Sequence, residues 1–317
     1  MTMKHKMKLT SRLLRHHPTS SALLFTLITF AAASAPAADT YETRVVARGL
    51  NRPTGIVAEG SKSLYITQLP TPGVAGPNGG MNRVDKVQLG SGRIINLTMG
   101  EPEPTNLALD QHGHLYWTCK SAGVILERNR RGTVAPFLTG LNKPSGIAVD
   151  RWDRVYFTLL PTPGVPGNMG GNNTVNVSDG SQVHVLTMGE PEPTDIAVTR
   201  RGEAYWTCKS AGVILKRATD GTVSLVLSGL HAPTGIALDS RGEKLYFTEV
   251  PTPGVAGGMN RVSVYDLEEG ELSAVNIGDP EPTDITVARN GRVYWTCTSA
   301  GVIVEARRIC EYNEDED

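Results

Sequence analysis

The chain repeats itself every 89 residues. Pro104, Pro193 and Pro282 stand at this spacing, and the same step separates three tryptophans and three cysteines: Trp117, Trp206, Trp295, Cys119, Cys208 and Cys297. Each long unit divides into two related halves, which open with proline, threonine or serine, a small or polar residue and an apolar run, as in "PTGIVAE" and "PTNLALD". A fixed period is typical of repeat architectures, so we expect three tandem pairs of units.

Short apolar runs alternate with turn residues inside each half. In the fourth, "DIAVT", "EAYWTC", "GVILKR" and "TVSLVLS" are separated by "RRG", "KSAG" and "TDG", which predicts four strands. Six such units predict an all-β protein, a six-bladed β-propeller. The last unit lacks a fourth strand, and residues 43–50, "TRVVARGL", resemble the fourth strands of other units. We therefore expect the N-terminal strand to close the last blade, which removes an exposed sheet edge.

The first 37 residues have the composition of an export signal. Five basic residues precede the apolar run "SALLFTLITFAAA", and the small residues Ala35-Pro36-Ala37 follow as a cleavage site. We predict a signal peptide over residues 1–37, a propeller over 38–310 and an acidic tail over 311–317, in a secreted or periplasmic protein. The apolar run is short for a membrane span, so no span is expected after the leader is removed, and an uncleaved anchor is the alternative.

Charge argues against nucleic acid as a partner. Of the 31 lysines and arginines, 26 remain once the five of the leader are removed, against 32 acidic residues, so the mature net charge is near −6. The sequence shows no basic patch of the kind that binds phosphate backbones. We expect a monomer whose partner is a small molecule or a protein.

Loops at one end of the predicted propeller recur more closely than loops at the other. "PTPGV" begins at Pro70, Pro161 and Pro251, and "EPEPT" or "DPEPT" begins at residues 101, 190 and 279, whereas the loops between first and second strands differ from unit to unit. Two interpretations stay open. The recurring loops form a binding face, or they pack on one another as a cap stiffened by proline.

Six residues of this end are candidates for ligand binding: Glu103, Glu192, Glu281, Lys120, Lys209 and His231. The glutamates would surround the channel mouth at threefold positions, and the lysines lie on neighbouring loops. We predict that these residues bind a small molecule, a cation or a protein. The alternative is that the lysines pair with the glutamates and that the histidine is solvated. Glu101, Glu190 and Asp279 lie further out and are expected to be solvated.

Three further polar residues, Asn106, Asp195 and Asp284, begin alternate inner strands, and glycines take this position in the other blades, so we expect gaps between the polar side chains. Oxygen ligands suit a hard cation, which predicts a divalent cation, calcium, at the channel mouth. The three repeated cysteines are too far apart for disulfides. We expect them to be buried packing residues; a soft-metal or catalytic role is the alternative.

The half-unit "PTDIAVTRRGEAYWTCKSAGVILKR" resembles the exported six-bladed propellers of the NHL-repeat and SMP-30/gluconolactonase-like superfamily, and it is similar to streptogramin lyases. The resemblance covers the mature chain, and it specifies fold better than function. It implies an alternative function, a metal-dependent hydrolase or lyase acting at the same channel mouth. A second alternative is a structural module that binds other proteins.

The resemblance also implies where metal ligands would stand. Gluconolactonase-like calcium ligands align with threonines and a serine in this chain: Thr54, Thr105, Ser145, Thr194, Thr234 and Thr283. Streptogramin lyases carry a metal-binding histidine two residues after a glutamate that matches Glu103, Glu192 and Glu281, and this chain has threonine there. Neither ligand set is therefore reproduced, and the carboxylates stand one position later.

Overall fold

The computed structural model describes residues 40–69, 80–160, 172–250 and 259–309. These residues form 24 β-strands in six four-stranded antiparallel sheets, which confirms the predicted six-bladed propeller. Within the described ranges, no helix is long and apolar enough to cross a membrane. The predicted signal peptide, the "PTPGV" loops and the acidic tail lie outside the described residues and stay predictions.

Each blade runs from an inner strand at the channel to an outer strand at the rim. Blade 1 contains β2 (Pro53–Glu59), β3 (Ser63–Gln68), β4 (Arg83–Gln88) and β5 (Arg93–Met99). Blade 2 contains β6 (Pro104–Leu109), β7 (Leu115–Cys119), β8 (Val124–Arg128) and β9 (Val134–Leu138). Blade 3 contains β10 (Pro144–Val149), β11 (Val155–Leu159), β12 (Thr174–Ser178) and β13 (Val183–Met188).

The other three blades repeat this order. Blade 4 contains β14 (Pro193–Val198), β15 (Ala204–Cys208), β16 (Val213–Arg217) and β17 (Val223–Leu227). Blade 5 contains β18 (Pro233–Leu238), β19 (Lys244–Glu249), β20 (Arg261–Asp266) and β21 (Leu272–Ile277). Blade 6 contains β22 (Pro282–Val287), β23 (Val293–Cys297), β24 (Val302–Ile309) and, as its outer strand, β1 (Thr40–Ala47).

The N-terminal strand closes the last blade, as predicted. β1 pairs antiparallel with β24, from Thr40 opposite Ile309 to Val45 opposite Val304. Across this pairing, the Arg44 side chain donates from Nε to Glu305 Oε1 at 2.9 Å. The pairing joins the two ends of the described chain and covers the outward edge that β24 would otherwise expose.

The core lies between neighbouring blades and is built mainly by the second strands, whose residues are almost all buried. A large apolar side chain stands at the centre of each second strand, with almost no solvent exposure: Ile66, Trp117, Phe157, Trp206, Phe247 and Trp295. Trp117, for example, packs against Tyr65 and Val84 of the preceding blade. Each such burial contributes about 1.5–3 kcal/mol, so the repeated tryptophans hold adjacent blades together.

A ring of hydroxyl hydrogen bonds joins the blades near the channel. Five second-strand threonines donate to a carbonyl oxygen in the inner strand of the next blade: Thr67 to Thr105, Thr118 to Ser145, Thr207 to Thr234, Thr248 to Thr283 and Thr296 to Thr54, at 2.7–3.3 Å. At the remaining junction the Ser145 hydroxyl donates to Thr194 O at 2.9 Å. Every blade is therefore bonded to the next around the whole circle.

Candidate functional site

We call one end of the propeller the loop face. It is formed by the loops that enter the inner strands and the loops that join second to third strands. The two kinds of loop are bonded to each other, because Lys120 N donates to Glu103 O at 3.1 Å and Lys209 N donates to Glu192 O at 3.0 Å. The predicted placement of both kinds of loop at one end is thus confirmed for the described residues.

The residue before each inner-strand proline has a left-handed backbone. These residues, with φ between 47° and 55°, are Arg52, Glu103, Lys143, Glu192, Ala232 and Glu281. For a residue other than glycine this conformation costs roughly 1–2 kcal/mol. Its carbonyl then accepts the N–H that follows the second strand, as at Glu103, so the turn is fixed. Sequence reasoning missed this feature, because nothing in glutamate, arginine or lysine signals a left-handed turn.

Glu103 and Lys120 lie together in a groove. With Lys143 and Gly123 they line a cavity of about 540 Å³ on the loop face, between blades 2 and 3. None of the three charged side chains forms an ion pair with another described residue, and the same holds for Glu192, Glu281 and Lys209. The alternative in which the lysines neutralise the glutamates is therefore not realised among the described residues.

His231 stands apart from the other candidates. It is exposed, and its backbone N–H donates to Glu249 Oε1 at 2.9 Å. It follows that the backbone of His231 is fixed by blade 5, while its side chain lines neither the groove of Glu103 nor the channel. The structure therefore does not bring His231 together with the glutamates.

Exposed apolar side chains accompany the glutamates. Met99, Met188 and Ile277 end the outer strands of blades 1, 3 and 5 at the loop face, and they are 65%, 68% and 48% exposed. Met81 and Met259, which precede the third strands of blades 1 and 5, are also exposed. Large exposed apolar side chains that recur at equivalent positions mark an interaction surface better than isolated ones do.

Glu101, Glu190 and Asp279, which were expected to be solvated, are half-buried, and two of the three accept a hydrogen bond from the core. Trp206 donates from its indole Nε1 to Glu190 at 3.2 Å, and Trp295 donates in the same way to Asp279 at 2.6 Å. A buried indole N–H needs an acceptor, and these carboxylates supply it. They therefore support the tryptophans rather than a ligand.

Asn106, Asp195 and Asp284 meet in the channel, but the expected gaps between them are closed. Asn106 Nδ2 donates to Asp195 Oδ1 at 2.7 Å. Asp195 and Asp284 reach into the neighbouring blades, where they accept the backbone N–H groups of Ile236 at 2.8 Å and Ile56 at 2.7 Å. The side chains bridge the inner strands and plug this part of the channel.

Glycine makes this plug possible. A Cβ atom at Gly146 would lie 2.5 Å from the Asp195 Cα, and one at Gly235 would lie 2.6 Å from the Asp284 Cα. Real Cβ atoms do not approach so closely, so any larger residue would force the strands apart. The glycines are therefore not gaps between ligands, but the positions that let the polar side chains cross between blades.

Both carboxyl groups in the plug have raised pKa values. Burial raises the pKa of Asp195 to about 7. Burial and the negative charge of Asp195 raise the pKa of Asp284 well above its usual range. Two neighbouring buried acids cannot both ionise cheaply, so we expect the pair to retain one proton near neutral pH. The adjoining cavity inside the channel measures about 160 Å³.

The oxygen atoms of these channel residues are not free to coordinate a calcium ion. Each oxygen of Asp195 and Asp284 already accepts a backbone N–H, whereas calcium takes six to eight oxygen ligands. Five of the six positions that the family resemblance points to are engaged in pairs of hydroxyls, such as Thr105 with Thr118 at 2.8 Å, and the Ser145 hydroxyl donates to Thr194 O. No group of three or more His, Cys, Asp or Glu in the described part of the chain is arranged to hold a metal.

The three repeated cysteines are buried packing residues. Cys119, Cys208 and Cys297 have no exposed surface and no disulfide partner among the described residues. Burial raises the pKa of each thiol to about 12, and nearby carboxylates act in the same direction. A thiolate is the reactive form of cysteine, so these environments disfavour a catalytic or metal-binding role.

The fold and the channel define this chain as a six-bladed β-propeller with a plugged channel. No protein-family model matches its sequence, and no curated protein matches it. Solved structures with the same fold include a gluconolactonase from Xanthomonas campestris, at 17% identity and a TM-score of 0.66, over 85% of this chain and 90% of that one.

Two other structural neighbours have different activities. Regucalcin from Agrobacterium tumefaciens, a calcium-binding protein, is 12% identical with a TM-score of 0.63, over 84% of this chain and 93% of that one. A streptogramin B lyase is 14% identical with a TM-score of 0.58, over 85% of this chain and 98% of that one. At such identities the likeness shows the shared propeller fold, and function must be argued from the site.

Proposed function

We propose that this protein is an exported binding propeller whose loop face recognises a polypeptide segment that carries basic and apolar residues. The observation that carries the proposal is the set of three glutamates, Glu103, Glu192 and Glu281, which stand at threefold positions without ion-pair partners among the described residues. The composition of the leader supports export.

The charge of the three glutamates favours basic groups on the partner at these positions. Unpaired carboxylates at a protein surface attract positive groups and reject like charge, which gives an interface its specificity. Each of these glutamates also stands on a strained left-handed turn. Backbone strain of this kind persists where the surrounding structure enforces it, and it clusters at ligand-binding sites. The groove beside Glu103 also holds Lys120 and Lys143, so a partner with acidic groups as well is accommodated there.

Apolar contacts add to the charge. The exposed methionines at Met81, Met99, Met188 and Met259 lie at the same end as the glutamates. Methionine is flexible and polarizable, and it is used at surfaces that adapt to a partner. A polypeptide offers both charged and apolar groups over the distance between blades, whereas a single cation does not. The loop face therefore fits a protein or peptide better than a bare ion.

A charge-removal experiment tests the proposal. We would measure the binding of an array of 15-residue peptides of graded charge to the wild-type protein and to the triple variant Glu103→Gln, Glu192→Gln and Glu281→Gln. The matched control is Glu268→Gln, Glu269→Gln and Glu271→Gln, which removes the same charge from an exposed turn of blade 5. We expect basic, apolar peptides to bind the wild type and the control, and to bind the triple variant at least about tenfold more weakly.

Two results would overturn this function. Equal loss of binding in both triple variants would mean that net charge, rather than the loop face, attracts the peptides. Binding of no peptide by the wild type would remove the polypeptide partner altogether.

A second candidate is a metal-dependent hydrolase or lyase. It is supported by the fold shared with a gluconolactonase and a streptogramin lyase, and by the acidic pair in the channel. Elemental analysis of the purified protein, with assays on lactones, tests it. Stoichiometric calcium or a transition metal, lost together with lactone hydrolysis in Asp195→Ala, Asp284→Ala, would establish the enzyme. A metal-free protein without activity would reject it.

A further inference from the structure

We propose a second binding site, for a small polyanion, at the opposite end of the propeller from the loop face. A large cavity, about 1090 Å³, opens there and extends from the channel mouth toward blades 1 and 2. Five arginines line it: Arg128, Arg130, Arg151, Arg200 and Arg289. We call this cavity the arginine basin. Its ligand would carry several phosphate or carboxylate groups.

The arginines come from four blades. Arg151, Arg200 and Arg289 lie in the loops between first and second strands of blades 3, 4 and 6, while Arg128 and Arg130 lie at the end of β8 and in the turn that follows. These positions are up to 161 residues apart in the sequence, so the five arginines do not form one continuous basic segment. The propeller brings them together because all these loops open at one end of the channel.

The charge of these guanidinium groups is not neutralised within the described structure. None of the five forms an ion pair with a described carboxylate. An anion bound in the basin would therefore meet guanidinium groups that no described carboxylate already holds.

The acidic residues of the lining are already occupied. Asp150 accepts from its neighbour Arg154 at 2.7 Å, and Asp110 accepts the backbone N–H groups of His112 and His114 at 2.8 Å and 2.7 Å.

The third acid, Glu59, is paired with Lys86. Each acidic side chain of the lining thus has a partner of its own, whereas none of the five arginines pairs with a described carboxylate. The basin therefore carries a local positive excess on a protein whose predicted mature charge is negative.

Guanidinium chemistry identifies the class of ligand. Arginine presents a rigid fork of N–H donors that matches the oxygens of phosphate and carboxylate, and several forks around one cavity favour a ligand with several anionic groups. The volume of the basin exceeds the needs of one phosphate ion. A long nucleic acid is a poorer fit, because its phosphates would extend beyond the five arginines that line the basin.

Calorimetric titration with inorganic tripolyphosphate tests the site. We would compare the wild type with Arg200→Gln, Arg289→Gln, which removes two charges from the basin. The matched control is Arg131→Gln, Arg201→Gln, which removes two charges from exposed neighbours that do not line it. We expect the basin variant to bind about tenfold more weakly and the control to change less than about twofold, since charge-assisted contacts are lost only in the former.

Four further measurements complete the design. Orthophosphate should bind more weakly than tripolyphosphate, and raising NaCl from about 50 to 200 mM should weaken both. The triple glutamine variant of the loop face should bind tripolyphosphate as tightly as the wild type. A loss of peptide binding at the loop face can therefore be distinguished from a loss of polyanion binding at the arginine basin. Melting temperatures of all variants verify that they fold.

The proposal is overturned if the wild type does not bind tripolyphosphate, or if both double variants lose affinity equally. It is also overturned if a single-stranded oligonucleotide binds more tightly than tripolyphosphate in the same buffer.

Discussion

Removing one hydroxyl from the ring that joins the blades is expected to cost about 3 kcal/mol of unfolding free energy. In Thr118→Val the side chain keeps its volume but loses three contacts. Its Oγ1 donates to Ser145 O at 2.7 Å, accepts from Asn106 N at 3.2 Å and lies 2.8 Å from Thr105 Oγ1. Thr118 is fully buried, so water does not replace these partners, and each lost bond costs about 1 kcal/mol.

Urea unfolding followed by tryptophan fluorescence measures this loss. Thr118→Ser keeps the hydroxyl and removes a methyl group, so its cost should stay near 1 kcal/mol, roughly the value of one buried methylene. Thr43→Val, on the exposed part of β1, should change stability by no more than about 0.5 kcal/mol. If Thr118→Val and Thr118→Ser cost the same, the hydroxyl does not hold the blades together and the reasoning is refuted.

Three other outcomes follow from the structure. Because burial raises the pKa values of Asp195 and Asp284, the folded protein binds more protons than the unfolded chain between about pH 4 and pH 7, so these groups make stability fall as pH rises through that range. In Asp195→Asn the melting temperature should fall less steeply as pH rises. An unchanged dependence on pH would contradict the proton that the Asp195–Asp284 pair is expected to retain. The three buried cysteines, assayed in a Cys310→Ser background, should resist a thiol reagent at pH 8 until urea is added; rapid labelling of the native protein would show that they are accessible. Deleting residues 40–47 should expose the edge of β24 and cause aggregation, measurable by light scattering; a monomer with the wild-type melting temperature would disprove the closure.

The sequence alone predicted the blades and their closure because both correspond to repeated residue patterns. Proline followed by threonine or serine opens every inner strand, and the fourth strand that the last unit lacks is matched by residues 43–50 at the other end of the chain. The missing fourth strand and the matching N-terminal segment together predict the pairing of β1 with β24. The cysteines were also predictable, since threefold spacing separates them too widely for disulfides.

The side-chain contacts within the candidate sites were harder to predict from the sequence. The sequence placed Asn106, Asp195 and Asp284 in the channel, but the distance between neighbouring inner strands at Gly146 and Gly235 decides what these side chains contact. Close approach turns potential metal ligands into bridges between blades.

The role of Glu190 was missed for a related reason. Its acceptor function depends on the orientation of the indole of Trp206, which lies 16 residues further along the chain. A residue pattern gives the spacing of such groups but not their orientation.

Closure of blade 6 by β1 also has a consequence for the order of assembly. Arg44 and Glu305 are 261 residues apart and meet only in the finished ring. During synthesis, β1 therefore stays without its partner strand until β24 has been made. Ring closure thus requires that all six blades have been synthesised, which makes it a late step of folding.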